Sequence, residues 1–245
     1  MPAPGALPPR WSKKTDQLVA HIASRLKPSV QSELGRWLEG NSRFRDFITV
    51  HQDKVRKKLS GSDDEERRQD VRAELLVAYL LLTDRRFELA FEAYGAGRVG
   101  PDFTVTFRAN QRFNLEVTRV QATGDVDTPR LANVIASKLR QLPAESANAL
   151  VIVTHGLSVT EESVETANRL LKQHNDQNDE AFFTRRGFKS ARDFYAQYLR
   201  LSGVFMIDEV VTTHYVANRE ARRPLPADAV AAVLTLAQSA DLNRS

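Results

Sequence analysis

Gly100-Pro101-Asp102-Phe103-Thr104-Val105-Thr106-Phe107 and, after a short turn, Arg112-Phe113-Asn114-Leu115-Glu116-Val117-Thr118 alternate between polar and apolar residues. Side chains on a strand point to opposite faces in turn, so the two segments read as a β-hairpin with one apolar face. Phe103, Val105 and Phe107 share that face with Phe113, Leu115 and Val117. The other face carries Asp102, Thr104, Thr106, Asn114, Glu116 and Thr118. Asp102 and Glu116 are thereby set side by side, and neighbouring like charges disfavour joint ionisation unless a cation intervenes. Mg²⁺ fits that role, because it takes oxygen ligands and retains waters for a phosphate substrate; Mn²⁺ would substitute for it. The flanking segments read as helices that should cover this polar face.

Working outward, helical spacing occupies residues 12–26, 29–39 and 42–59, punctuated by Pro28 and by Gly40-Asn41. A long helix is expected at about 65–83, then strands near 86–94, 102–108 and 112–120. A loop containing Gly124 and Pro129 leads to a helix at roughly 130–142. Ala149 to Thr154 is a continuous apolar run, as in a strand buried on both faces. Helices at about 159–174, 189–201 and 226–240 and strands at 203–208 and 213–217 complete the chain. From residue 65 to 154 the order is helix, three strands, helix, strand. Short turns make the first strands antiparallel, and the intervening helix makes the last pairing a parallel crossover. The fold class is therefore α/β, a mixed sheet sandwiched by helices.

Two further residues break apolar patterns. Glu74 lies beside an apolar helical stripe with Val71, Val77 and Ala78, where a carboxylate either meets a cation or donors or bends its stem to solvent. Lys138 interrupts the stripe Leu131, Val134, Ile135, Leu142, with Gln141 nearby. It either aims its ammonium at a site or snorkels along the helix. Acids converging with one lysine suit a divalent-metal phosphodiesterase. The five histidines show no ligand spacing, although His155-Gly156 follows the buried strand. Gly95-Ala96-Gly97-Arg98-Val99-Gly100 fits a dinucleotide fingerprint by letter but leads to a strand instead of a helix, and reads as a turn.

At 245 residues, 42% hydrophobic and 27% charged, the chain is ordinary for a globular protein. It has no cysteine, which excludes disulfides, thiolate metal sites and cysteine nucleophiles and is compatible with a cytoplasmic location. No apolar run approaches the roughly 18 residues of a membrane helix. The proline-rich start, residues 1–10, has no apolar core of a secretory signal and reads as a disordered tail. Net charge is +4, yet residues 1–60 carry 12 Lys/Arg against 5 Asp/Glu. Such asymmetry points to a polyanionic partner contacted by the N-terminal lobe, with Lys54, Arg56, Lys57 and Lys58 as candidate nucleic-acid contacts; ordinary solvated helix faces are the alternative.

Together these residues resemble the PD-(D/E)xK phosphodiesterase superfamily, whose restriction-endonuclease-like core has the same αβββαβ order. The resemblance covers residues 65–154. Pro101-Asp102 stands at the PD position, Glu116-Val117-Thr118 at the (D/E)xK position, and Glu74 matches the acidic residue of the first core helix. Thr118 departs from the pattern, which has lysine there. Some members place that lysine on the following helix, where Lys138 stands. More narrowly, the whole chain resembles bacterial proteins of this type.

The resemblance implies a Mg²⁺-dependent nuclease acting on DNA more readily than RNA, with a homodimer compatible and no membrane partner. Asp102, Glu116 and the Val117 backbone carbonyl would hold the metal, and Glu74 a second metal or its water. Lys138 would orient the attacking water, supported by Thr118 and Gln141. The competing implication is a degenerate member that binds nucleic acid or protein without cleaving. The expected organisation is a tail (1–10), a basic helical lobe (11–62), the endonuclease-like core (63–156) and a C-terminal αββα extension (157–245) packed on it.

Overall fold

The structure is a computed structural model that describes residues 11–60, 64–95, 100–120, 127–154, 159–208 and 213–241, with 237–241 as backbone only. The expected tail at 1–10, Gly124 and the His155-Gly156 pair lie outside the described residues. The chain forms two compact units, Met1–Arg72 and Ala73–Ser245, and the division falls inside a helix.

The first unit is helical, with α1 (Lys13–Ala23), α2 (Pro28–Gly40), α3 (Ser42–Ser60) and the opening turns of α4 (Glu65–Thr83). Ser12 caps α1 by accepting from the Thr15 amide, and Pro28 occupies the first turn of α2, where its missing N–H costs nothing. The Ser12 and Thr15 hydroxyls both donate to Glu39, at 2.8 and 2.6 Å. Ile22, Leu34, Leu38, Phe44, Ile48 and Val55 fill the core of this unit. At Gly35 a Cβ would come within 2.2 Å of the Trp11 ring, so only glycine admits the indole there. Lys14 meets Asp46 at 3.3 Å, and two turns later His21 meets Asp53 at 3.0 Å. The constant sequence offset shows that α1 and α3 run parallel.

The second unit continues α4 and adds β1 (Phe87–Phe91), β2 (Phe103–Phe107), β3 (Gln111–Val120), α5 (Thr128–Lys138) and β4 (Ala147–Thr154). It then adds α6 (Glu161–Asp176), α7 (Glu180–Thr184), α8 (Ala191–Tyr198), β5 (Leu201–Asp208), β6 (Thr213–Ala217) and α9 (Ala227–Asp241). The strands form one mixed sheet in the order β1-β2-β3-β4-β5-β6. β1–β2–β3 is an antiparallel meander, β4 joins β3 in parallel across α5, and β5 joins β4 in parallel across α6–α8. β6 closes the far edge antiparallel. The strands of the C-terminal segment thus extend the central sheet.

Register decides the two faces. Phe103 pairs with Leu115 and Val105 with Phe113, so the apolar face of the hairpin is continuous. On that face Val77 and Leu81 of α4 and Val233 and Leu236 of α9 meet Leu115, Val151, Phe205 and Ile207. On the opposite face Leu131 and Ile135 of α5, Val164 of α6 and Phe194 of α8 pack with Leu150, Ile152, Val204 and Met206. This is an α/β unit whose mixed open sheet is flanked by helices. Burying these side chains supplies the usual driving force, about 25 cal/mol for each Å² of apolar surface removed from water.

Some boundaries differ from the sequence reading. The helix expected at 130–142 ends at Lys138, and a 3₁₀ turn, Leu139–Gln141, follows. The helix expected at 189–201 stops at Tyr198 because β5 begins at Leu201. α7 was not expected; Asp179 caps it by accepting from the Phe182 amide. No helix among the described residues is long and apolar enough to cross a membrane.

Candidate active site

The β2–β3 pairing ends at Phe103 and Leu115; Asp102 and Glu116 are the next residues on the two chains, close enough for the Asp102 charge to act on Glu116. Asp102 is fixed there by the Val117 amide, which donates to its Oδ2 at 2.8 Å. From the other side α5 delivers Lys138, whose Nζ lies 2.8 Å from Glu116 Oε1. The Glu116 side chain is 1% exposed and that of Lys138 25%. The lysine therefore bridges a buried carboxylate and solvent. The Lys138 position at the last turn of α5, with helix and strand joined in a parallel crossover, is what lets a side chain 22 residues downstream reach β3.

The electrostatics follow from this packing. Burial first, and after it the adjacent Asp102 charge, raise the Glu116 carboxyl to about 7. The Lys138 charge and hydrogen bond oppose both. Glu116 Oε1 is held by Lys138, whereas Oε2 is buried and has no hydrogen-bond partner among the described residues. A buried, unsatisfied carboxylate oxygen is costly, and a cation beside it removes that cost. The donor chemistry suits a hard divalent ion: two carboxylates on adjacent strands, with room in the coordination shell for waters and phosphate oxygens.

Glu74 does not join them. It is buried at 9% exposure on α4, the helix that packs on the opposite face of the sheet. Among the described residues no three His, Cys, Asp or Glu side chains gather as a metal cage. The expected third acid is thus absent from the cluster, and any metal here would rest on Asp102, Glu116 and oxygen donors of other kinds. Thr118 is half-buried, two residues on from Glu116 along the same face. Gln141 sits in the 3₁₀ turn after α5, also half-buried.

Helices cover this polar face only in part. α5, α6 and α8 lie over β3–β5, while Glu88 and Ala90 on the same face of β1 are exposed. Asp102 and Lys138 stand at the border between covered and open sheet.

Below the acids runs a buried polar ladder that the alternation revealed only in part. Thr104 Oγ1 donates to Asn114 Oδ1 at 2.9 Å, and Asn114 Nδ2 donates to Asn148 Oδ1 at 3.0 Å and to the Tyr94 hydroxyl at 3.3 Å. Asn148 Nδ2 in turn reaches the carbonyls of Pro143, Ser146 and Arg200. The ladder ties three strands together beneath the site. Asn148, at the head of an otherwise apolar strand, was the one signal in the sequence for it.

Three of the described histidines are engaged elsewhere. His21, His174 and His214 each pair with one carboxylate elsewhere, Asp53, Asp179 and Glu161. Compared with protein-family models, curated proteins and solved structures, the chain has no match.

Proposed function

We propose that the protein is a Mg²⁺-dependent phosphodiesterase, a nuclease of the PD-(D/E)xK type acting on DNA, with its lysine supplied by α5. The observation that carries this reading is Glu116, buried between Asp102 and Lys138 with one carboxylate oxygen left unpartnered. That oxygen, with the Asp102 carboxylate and the Val117 carbonyl, would hold the metal. A divalent ion bound there supplies charge neutralisation at the phosphate and an acidified water. Asp102 is pre-oriented by the Val117 amide. Lys138, held at Glu116, is placed to orient a water and to hydrogen-bond a phosphate oxygen as negative charge grows on it. Thr118 and Gln141 would support that lysine. The αβββαβ order of α4 to β4 supports the endonuclease-like reading of the core.

A second reading has its own observation. Thr118 replaces the usual lysine and Glu74 stands apart from the two acids, as expected of a module that binds nucleic acid without cutting it. Titration of the protein with Mn²⁺ followed by calorimetry separates the two. A nuclease binds the ion stoichiometrically and loses it in Glu116→Gln; a binding module shows no such site.

A further inference from the structure

The helical unit contains a basic groove that the proposed cleavage chemistry does not use. It encloses about 660 Å³ between α1 and α3 and is lined by Ala20, His21, Ser24, Arg25, Asp53, Arg56, Lys57 and Ser60. Carried on from Lys14–Asp46 and His21–Asp53, the parallel offset of α1 and α3 brings Arg25 level with Lys57. Both are exposed, and neither has an ion-pair partner among the described residues. Asp53 is already engaged, by His21 at 3.0 Å and by Arg56 at 4.0 Å. Two unpaired like charges facing one another across a groove repel, and an anion between them removes the repulsion.

Cations in the last turn of α3 also complement the helix dipole. The same effect favours Arg25, one residue past the C-cap of α1, so what points to an anion is that Arg25 and Lys57 line one groove with neither paired among the described residues. Lys54 and Lys58 are half-buried and lie off the groove, so the four cations read together in the sequence divide by helical face. The lining spans about two helical turns, roughly 10 Å. Its only aliphatic side chain is Ala20 and its only ring is His21, which is held by Asp53, so the lining offers little to an acyl chain or to successive bases. A lining dominated by charged and hydroxyl groups recognises phosphate and carries little sequence information.

We infer that this groove, with Arg25, Lys57 and Arg56 as its cations, binds the phosphodiester backbone of a nucleic-acid strand independently of the β-sheet site. The assignment does not rest on cleavage and is tested without metal. The full-length protein is titrated in EDTA against an end-labelled 20-mer duplex and its single strand, by fluorescence anisotropy over a range of NaCl concentrations. Arg25→Gln/Lys57→Gln is compared with Lys54→Gln/Lys58→Gln, which removes the same charge from the other face. The groove pair is expected to weaken binding tenfold or more and to flatten the log–log salt slope by about 1.5 to 2, the release from two phosphates. The control pair is expected to lose less than threefold.

Equal losses in the two double variants, no loss in the groove pair, or no binding by the wild type would each overturn the assignment. So would AMP competing as well as the strand, which would make this a phosphomonoester pocket. Cleavage that persists with unaltered binding in the groove variant would sink this inference alone. Groove-dependent binding without any cleavage would sink only the nuclease reading.

Discussion

Lys138 Nζ and Glu116 Oε1 are 2.8 Å apart, joining the last turn of α5 to the middle of β3. The ammonium beside Glu116 comes from the helix that follows β3, while the position two residues after Glu116 on the strand is Thr118. Because Glu116 is almost fully buried and Lys138 partly exposed, the pair is asymmetric: the carboxylate depends on the lysine far more than the reverse. Its other oxygen, Oε2, has no hydrogen-bond partner among the described residues.

The raised Glu116 carboxyl makes stability pH-dependent in metal-free buffer. Its folded value of about 7 exceeds the ordinary 4.5, so the folded protein holds the proton more tightly than the unfolded chain. That contribution is fully present below about pH 4.5 and is lost as pH rises through 7, on the order of 3 kcal/mol at most. Urea unfolding between pH 5 and 8 in EDTA should show this fall in the wild type and a flatter profile in Glu116→Gln. Equal profiles would show that the carboxyl is not held in that environment.

Lys138→Met removes the larger of the interactions that oppose the rise, leaving the backbone hydrogen bond from Asp102. The Glu116 transition should move upward from about 7, and ¹³C-detected titration of the carboxyl reads the shift directly. Cleavage should be lost with little change in metal-free nucleic-acid binding. Thr118→Lys in the Lys138→Met background returns an ammonium to the same face and should restore part of the activity; no restoration would mean that position 118 cannot reach the phosphate.

Metal should act on stability through the same two acids. Adding Mg²⁺ or Mn²⁺ at pH 7.5 is expected to raise the thermal midpoint of the wild type, since a ligand that binds only the folded state stabilises it by mass action. Asp102→Asn and Glu116→Gln should show no such rise. Glu74→Gln should keep it, because Glu74 lies on α4 apart from the pair. Loss of the effect in Glu74→Gln would return that residue to the site.

Much of this arrangement was legible because strand and helix periods are local. Alternation placed Asp102 and Glu116 on one face, and an apolar stripe interrupted by Lys138 marked the third residue. What was not legible depends on distant packing. Which face of the sheet α4 would occupy is decided by Leu115 and Val151 meeting Val77 and Leu81, so the separation of Glu74 from the acids could not be read from its own segment. The hairpin's polar face is buried at Thr104, Asn114 and Glu116, whereas on β1, for which no cover was read, Glu88 and Ala90 remain exposed. α7 escaped notice because five residues are too few to show a period; it is held by the aromatic contacts of Phe183 with Phe188 and Phe194.

The ladder beneath the site is a structural element with its own test. Asn148→Ala leaves Asn114 Nδ2 without one acceptor and three backbone carbonyls without a donor in a buried setting. A loss of about 2 to 4 kcal/mol in urea unfolding is expected, more than for an isolated hydrogen bond. A loss below about 0.5 kcal/mol would mean that water replaces the amide freely.

The central claim is that Asp102, Glu116 and Lys138 form a divalent-metal phosphodiesterase centre. Supercoiled plasmid, single-stranded DNA and RNA are incubated with the purified protein in Mg²⁺, Mn²⁺ or EDTA, alongside Asp102→Asn, Glu116→Gln and Lys138→Met. The account requires metal-dependent cleavage of DNA by the wild type, falling at least a hundredfold in each variant and absent in EDTA. A wild type inert on every substrate, or variants that cut as fast as the wild type, would contradict it.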